Sequence, residues 1–336
     1  MTNVREIFQA IAAKVGDVQM IDKGDTVIRH FPYGGARVSV ETQKIQETGN
    51  HGTVSAAIAC SFRSPLPTGQ KEPGLGFMRE MSNQNRRFIH HTMYEAERNA
   101  LFGAIYLPLR GPEDAQAIFD SADYMFKPIP VRQDWRQAAD EVDGLLKKFY
   151  GAAVSKPEPF DGMLQWRIHN KIANKFFALH EKDPRGQPYL ASQIIVQDAF
   201  FAHKAVGENL GFFDGTNLYD RDFDQAMSRA LEVSRREDFR LKSIFDFNNE
   251  SAAGYLGMRM WMTEDGQVAA ETHTPLFTPV TLELIQGCDM AITTAFNDHF
   301  GWPVLDLTMS KAEERRLAVS LLHAGFTIAR MMLGSG

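Results

Sequence analysis

Cysteine is nearly absent from this chain. Its 336 residues hold only Cys60 and Cys288, far apart and outside any C-x-x-C pattern. That excludes a disulfide framework and a cysteine-based zinc site, and it makes a reducing, cytoplasmic setting the expectation. Positive charge is also in short supply: 36 Lys and Arg against 42 Asp and Glu leave a net charge of -6. The electrostatic attraction that drives nucleic-acid binding therefore has no source, and no nucleic-acid partner is expected. No run reaches the ~20 apolar residues that cross a bilayer. Met1 to Phe8 already carries Arg5 and Glu6 before any apolar stretch, so neither export nor a membrane partner is expected. The chemistry-bearing spacings G-x-S-x-G, G-x-x-x-x-G-K-[ST] and H-E-x-x-H do not occur. No catalytic residue, cofactor or metal is assigned from motifs.

What is present suits an ordinary folded protein, with 44% hydrophobic and 23% charged residues. The length is about twice the usual ~150 residues of a domain, so two domains are the natural division. Val4, Ile7, Phe8, Ile11 and Val15 share one face of an amphipathic helix. Val18 to Ile21, Thr26 to Phe31, Ala36 to Val40 and Thr53 to Phe62 then read as an antiparallel meander, punctuated by glycine turns. Phe77 to Arg87 predicts a helix, Ile89 to Leu109 a strand pair turning near Asn99, and Pro112 to Met125 a closing helix. Two prolines within Lys127 to Asp134 interrupt every period and mark the boundary.

Beyond that boundary the pattern begins again. Val142, Leu145, Leu146 and Phe149 repeat the spacing of Val4, Ile7, Phe8 and Ile11. Thr92 to Leu109 aligns without a gap to Arg259 to Leu276, so that Tyr94 meets Trp261, Asn99 meets Gly266 and Pro108-Leu109 meets Pro275-Leu276. Asp265-Gly266 is a hairpin turn signal, because such turns need a positive φ. An Asn-rich segment precedes each hairpin, Asn83-Gln84-Asn85 and Asn248-Asn249, and a helix follows each, the second over Thr281 to His299. The predicted fold is α+β: two tandem units, each an antiparallel sheet flanked by helices, plus a C-terminal helix. The first domain spans 1–126, a linker 127–137, the second domain 138–305 with an insert near 180–224, and the C-terminal helix 306–336.

Candidate chemistry is sparse. His90 and His91 are adjacent in a strand and point to opposite faces, so they cannot share an ion; one is expected to pack and one to be wet. Glu271 and His273 lie on one strand face, and with His299 or Asp298 they make a conceivable metal or acid-base site between the domains. The favoured reading is an exposed polar strand face. Asp214, Asn217, Asp220, Asp222 and Asp224 form an acidic loop without EF-hand register, read as solvated, with Asp222 capping a helix. Phe176-Phe177, Phe200-Phe201 and Phe212-Phe213 fall in the second unit and are assigned mainly to core. The tail from Ser310 opens on a capping box and presents Leu317, Leu321, Leu322, Phe326, Ile328 and Met332 as candidate partner-binding residues.

The order helix, strands, helix, hairpin, helix resembles the type III secretion chaperone-like fold, including the YbjN-type bacterial proteins. The stretch from Phe247-Asn248-Asn249 through Arg259 to Val268 looks like that family's Asn-rich segment, strand, acidic-Gly turn and strand. The likeness covers about 55 residues of the second unit and weakens elsewhere. It implies an acidic, cofactor-free protein that holds client segments in apolar grooves, commonly as a homodimer. The functional expectation is thus a non-catalytic chaperone or adaptor for another protein or peptide. The alternative is an enzyme using Glu271, His273 and His299, or the acidic loop near Asp220, between the domains.

Overall fold

The computed structural model describes residues 4–47, 53–62, 73–97, 99–169, 175–196, 201, 204–205, 232–250, 257–288 and 291. The first unit opens with α1 (Val4–Val15), whose Val4, Ile7, Phe8 and Ile11 are buried as the spacing requires. Burying each such side chain contributes about 1.5–3 kcal/mol. There follow β1 (Gln19–Lys23), β2 (Thr26–Tyr33), β3 (Ala36–Gln43), the short α2 (Lys44–Glu47), β4 (Val54–Phe62), α3 (Leu75–Arg87), β5 (His91–Glu95), β6 (Ala100–Leu109) and α4 (Ala115–Tyr124). The second unit runs α5 (Trp135–Tyr150), β7 (Glu158–Phe160), β8 (Met163–Ile168), β9 (Lys175–His180), β10 (Tyr189–Val196), α6 (Glu237–Glu250), β11 (Arg259–Met262) and β12 (Val268–Pro275), with residues 282–288 helical.

The two sheets are antiparallel and six-stranded, ordered β1-β2-β3-β4-β6-β5 and β11-β12-β10-β9-β8-β7. Read from the first strand of each unit, the two orders are the same. In each sheet the hairpin that follows the inserted helix pairs through its second strand with the last strand of the meander. One face of sheet one packs under α1 and α4, in a core that includes Ile11, Val40, Ile58, Leu107 and Ile118. The corresponding face of sheet two packs under α5 and residues 282–288, around Val142, Trp166, Phe177, Leu190 and Ile285. Among the described residues no helix is long and apolar enough to cross a membrane.

Three expectations about organisation change. Helix α5 starts at Trp135, inside the stretch assigned to the linker, because Asp134 caps it by accepting from Arg136 N at 2.8 Å and Gln137 N at 3.2 Å. Strand β10 lies within the region assigned to an insert, yet it is integral, joining β9 to β12 as β4 joins β3 to β6. The extra length of the second unit lies instead in residues 197–236, which connect β10 to α6, whereas residues 63–74 make the equivalent link from β4 to α3. Third, the gapless hairpin alignment is one residue out on its first strand. His91 pairs with Ala104 and Arg259 with Glu271. Because Ala104 and Glu271 do correspond, Arg259 stands where His91 stands, and Trp261 where Met93 stands. The turns still match: Asn99 and Gly266 have φ of 45° and 84° and donate to Ala96 O and Thr263 O at 3.2 and 3.0 Å.

Candidate functional site: the seam between the units

The units meet beside β5 and β11, the strands that end each sheet on the hairpin side, and β6 and β12 approach each other across the same seam. Helix α3 of the first unit packs on β11 of the second, α6 packs on β5, and the two helices pack on each other. The aromatic rings of Phe77, Tyr94 and Phe245 fill the crossing, with centroids 5.5–6.3 Å apart. A sheet edge displays unpaired amides, and here each edge is answered from the other unit. Tyr94 N donates to Asn249 Oδ1 at 2.7 Å, and Met262 N donates to Ser82 Oγ at 3.0 Å.

Inside each unit one asparagine clamps its own edge strand. Asn85 accepts from Thr92 N at 2.7 Å and donates to Thr92 O at 3.1 Å. Asn248 does the same to Met260, at 2.7 and 2.9 Å. Both asparagines are buried. An amide side chain offers its donor NH2 and its acceptor oxygen side by side, which suits a backbone N–H and C=O pair. The Asn-rich segments seen in the sequence are therefore structural clamps.

At the centre of the seam lies Arg259, fully buried. Its guanidinium donates to three successive carbonyls of the first unit: Phe88 O at 3.0 Å, Ile89 O at 2.9 Å and His90 O at 3.0 Å. Burial lowers its pKa to about 10, partly offset by Glu271, so it stays charged at neutral pH. His273 adds a bond from Nδ1 to Phe88 O at 2.9 Å, and its Nε2 lies 2.6 Å from Glu271 Oε1. Trp261 Nε1 donates to the same carboxylate at 2.5 Å and Gln193 to its other oxygen at 3.2 Å. Burial alone raises the pKa of Glu271, but its attraction to His273 and its hydrogen bonds bring it below the ordinary carboxylate range. It is an anion inside the protein.

Glu271 and His273 are thus brought together on one strand face, as the spacing predicts. The exposed polar strand face is a misreading, since the two residues are only 4% and 1% exposed. The face is covered because the segment after α4 crosses onto sheet two. Gln187 Nε2 donates to Ile129 O at 2.6 Å, Arg185 donates to Tyr124 O, and the Tyr124 hydroxyl donates to Asp183. Every polar atom of the Glu271 and His273 side chains is engaged within the protein, which makes the pair a fastening between units.

His90 and His91 are corrected in the same way: both are buried, and neither is wet. Burial, followed by the charges of Arg185 and Arg259, lowers His90 to about 3. Burial and Arg259 hold His91 well below the ordinary histidine range. Neither ring nitrogen of His91 meets a hydrogen-bond partner among the described residues. His180 is lowered to about 4, mainly by burial, and stacks on Tyr189 at 4.3 Å.

The remaining candidates divide by position. His299, Asp298, the acidic loop from Asp214 to Asp224, and Leu317, Leu321, Leu322, Phe326, Ile328 and Met332 lie outside the described residues. So do Phe200, Phe212 and Phe213, while Phe177 and Phe201 are fully buried. Cys60 and Cys288 are free thiols in separate cores. Among the described residues no group of three or more His, Cys, Asp or Glu is placed to hold a metal ion. Arg259 escaped the sequence reading, although an arginine set in the apolar run Met258 to Met262 is the signature of a buried cation.

Away from the seam, the face of sheet one opposite α1 and α4 is uncovered among the described residues. It forms a groove of about 780 Å3 lined by residues that include Ile28, Ala57, Ala59, Met93 and Phe102. Its outer lip is β1, all five residues of which are exposed. Comparison of the chain with family profiles, with curated proteins and with solved structures gives no match.

Proposed function

We propose that the protein is a non-catalytic chaperone or adaptor that holds an apolar segment of a partner protein. The observation that carries this reading is the open groove of sheet one. Small side chains, Ala57 and Ala59, form its floor, so a partner's larger apolar side chains have room against the sheet. Among the described residues the adjoining strand β1 ends the sheet with no neighbour on its outer side, and its Met20 and Ile21 are 66% and 40% exposed. An extended partner segment pairing with β1 makes backbone hydrogen bonds there and lays alternate side chains toward the groove. Asp22 and Lys23 keep the same edge from pairing indiscriminately.

This agrees with the type III secretion chaperone-like resemblance, in which a tandem duplication makes an internal counterpart of that family's dimer. The identical strand order of the two units and their reciprocal seam support the duplication. The apolar face of the tail, Leu317 to Met332, is the second partner-binding element of the proposal.

The test is aggregation of a chemically denatured client, followed by light scattering at equimolar protein. Wild type is expected to suppress it and Ala59→Arg to lose suppression, with circular dichroism and urea midpoint unchanged. A chain lacking residues 310–336 is expected to suppress less. If wild type leaves aggregation unaltered the chaperone reading fails, and if Ala59→Arg protects as well as wild type the groove is not the site.

A further inference from the structure

We propose that the cleft between the C-terminal end of α3 and the turn 182–188 is a phosphoryl-binding site that bridges the two units. The cleft has a volume of about 560 Å3 and is lined by Asn83, Arg86 and Arg87 from the first unit and by Lys182, Asp183, Pro184 and Tyr189 from the second. Three cations face one concavity on a chain whose net charge is -6. Elsewhere several cations are neutralised locally: Arg29 pairs with Glu47, Arg110 with Asp114, Arg132 with Asp120 and Lys147 with Asp143. Arg86, Arg87 and Lys182 form no salt bridge among the described residues.

The cleft's one carboxylate does not neutralise them. Asp183 is turned inward, where it accepts from Arg185 N at 3.0 Å, from Gln187 N at 2.9 Å and from the Tyr124 hydroxyl. It is 6% exposed. Those same bonds rigidify the turn that carries Lys182. On the other wall Arg86 is held with its guanidinium 5.1 Å from the centre of the Trp261 ring, and stacking of this kind fixes a guanidinium while leaving its N–H groups available. Arginines in the last turn of α3 also offset the negative end of the helix dipole. Lys182 has no such task, because it comes from the other unit and still converges on the same space.

Two planar guanidinium forks, an ammonium and the Asn83 amide line this one cleft. A tetrahedral dianion with several acceptor oxygens satisfies them, and a single carboxylate does not. A ligand that touches both units stabilises the seam by linkage.

The test is calorimetric titration of the full chain at fixed ionic strength with pyrophosphate, citrate and acetate, and with a phosphoserine peptide beside its unphosphorylated twin. Saturable binding at one site per chain is expected for the phosphoryl probes, with a raised melting temperature. Arg87→Ala combined with Lys182→Ala is expected to weaken it by about tenfold or more, and Lys148→Ala combined with Lys156→Ala, two exposed lysines elsewhere, by less than about twofold. A phosphopeptide that binds more tightly than pyrophosphate assigns the group to a modified protein; the reverse assigns it to a small metabolite. Absence of saturable binding, equal binding of citrate, or equal loss in the control variant overturns the proposal. Because none of these readouts involves the groove of sheet one, failure here leaves the chaperone reading standing, and the converse holds.

Discussion

The two sheets carry equivalent rows of three positions on their helix-free faces, with different residues and different fates. In sheet one Glu41, Ala57 and Tyr106 stand side by side across β3, β4 and β6; in sheet two the row is Ala178, Ala191 and His273 across β9, β10 and β12. Ala178 and Ala191 are buried beneath the chain that leaves α4, whereas Glu41 and Ala57 line an open groove. Each row ends at the seam, where Tyr106 packs over Gly257 of the other unit and His273 bonds Phe88 O of the other unit. One framework therefore supports a closed face and an open one. What differs, among the described residues, is which connecting segment crosses over the sheet.

Acid challenges the closed side of that comparison most severely. His90, His91 and His180 are neutral in the fold, with pKa values below the ordinary 6.5 that they recover on unfolding. The unfolded chain then binds more protons below pH 6.5, so their contribution to stability is complete above that pH. It declines as pH falls, by up to about 1.4 kcal/mol per pH unit for each histidine. Glu271, whose pKa is lowered in the fold, adds a further loss as pH falls below about 4.5. Urea unfolding between pH 7.5 and 4.5 is expected to show a steep loss starting near 6.5. A flat profile between 6.5 and 5 means that water reaches these rings and the seam is not closed.

Next in size is the exchange of His91 for Arg259 at equivalent positions. Arg259→Met leaves three buried carbonyls without their donor and is expected to cost about 3–5 kcal/mol. His91→Leu removes no hydrogen bond among the described residues and is expected to stay within about 1 kcal/mol. Equal costs break the assignment of the fastening to the second unit. The asparagine clamps follow: Asn85→Ala and Asn248→Ala each strip partners from one buried amide and one carbonyl, at an expected cost of about 2–4 kcal/mol. Their near equality in denaturation midpoints is the signature of two like units, and a large difference argues against it.

Much of this framework was legible beforehand because its causes are local. The helix faces of α1 and α5, the strand alternation and the turns at Asn99 and Gly266 depend on residues close in sequence, and they stand where the periodicities put them. The first strand of the hairpin slipped by one residue because turn length is set by backbone geometry that side-chain matching does not report. Strand β10 reads as insert in the sequence because one of its partners, β12, lies 78 residues away by the Gln193 to Glu271 contact. The burial of Glu271, His273, His90 and His91 depends on contacts between units, and Arg259 reaches carbonyls 169–171 residues distant. Polar residues bound over such separations look like surface in the sequence.

The smallest expected effect tests the reciprocity of the seam at one atom. Gly257 and Ile89 occupy equivalent places just before β11 and β5. Gly257 has φ of +67°, and a Cβ built there lies 2.1 Å from Cδ2 of Tyr106. Gly257→Ala then incurs a left-handed backbone penalty of about 1 kcal/mol and forces the Tyr106 ring to move. The total is expected near 1–3 kcal/mol. The Tyr106→Ala background removes the obstacle but not the φ, so there the glycine substitution is expected to cost only about 1 kcal/mol. A double-mutant cycle in urea separates the two terms. Strictly additive costs mean that the ring and the glycine do not touch across the units, and the two ends of the rows are then not equivalent.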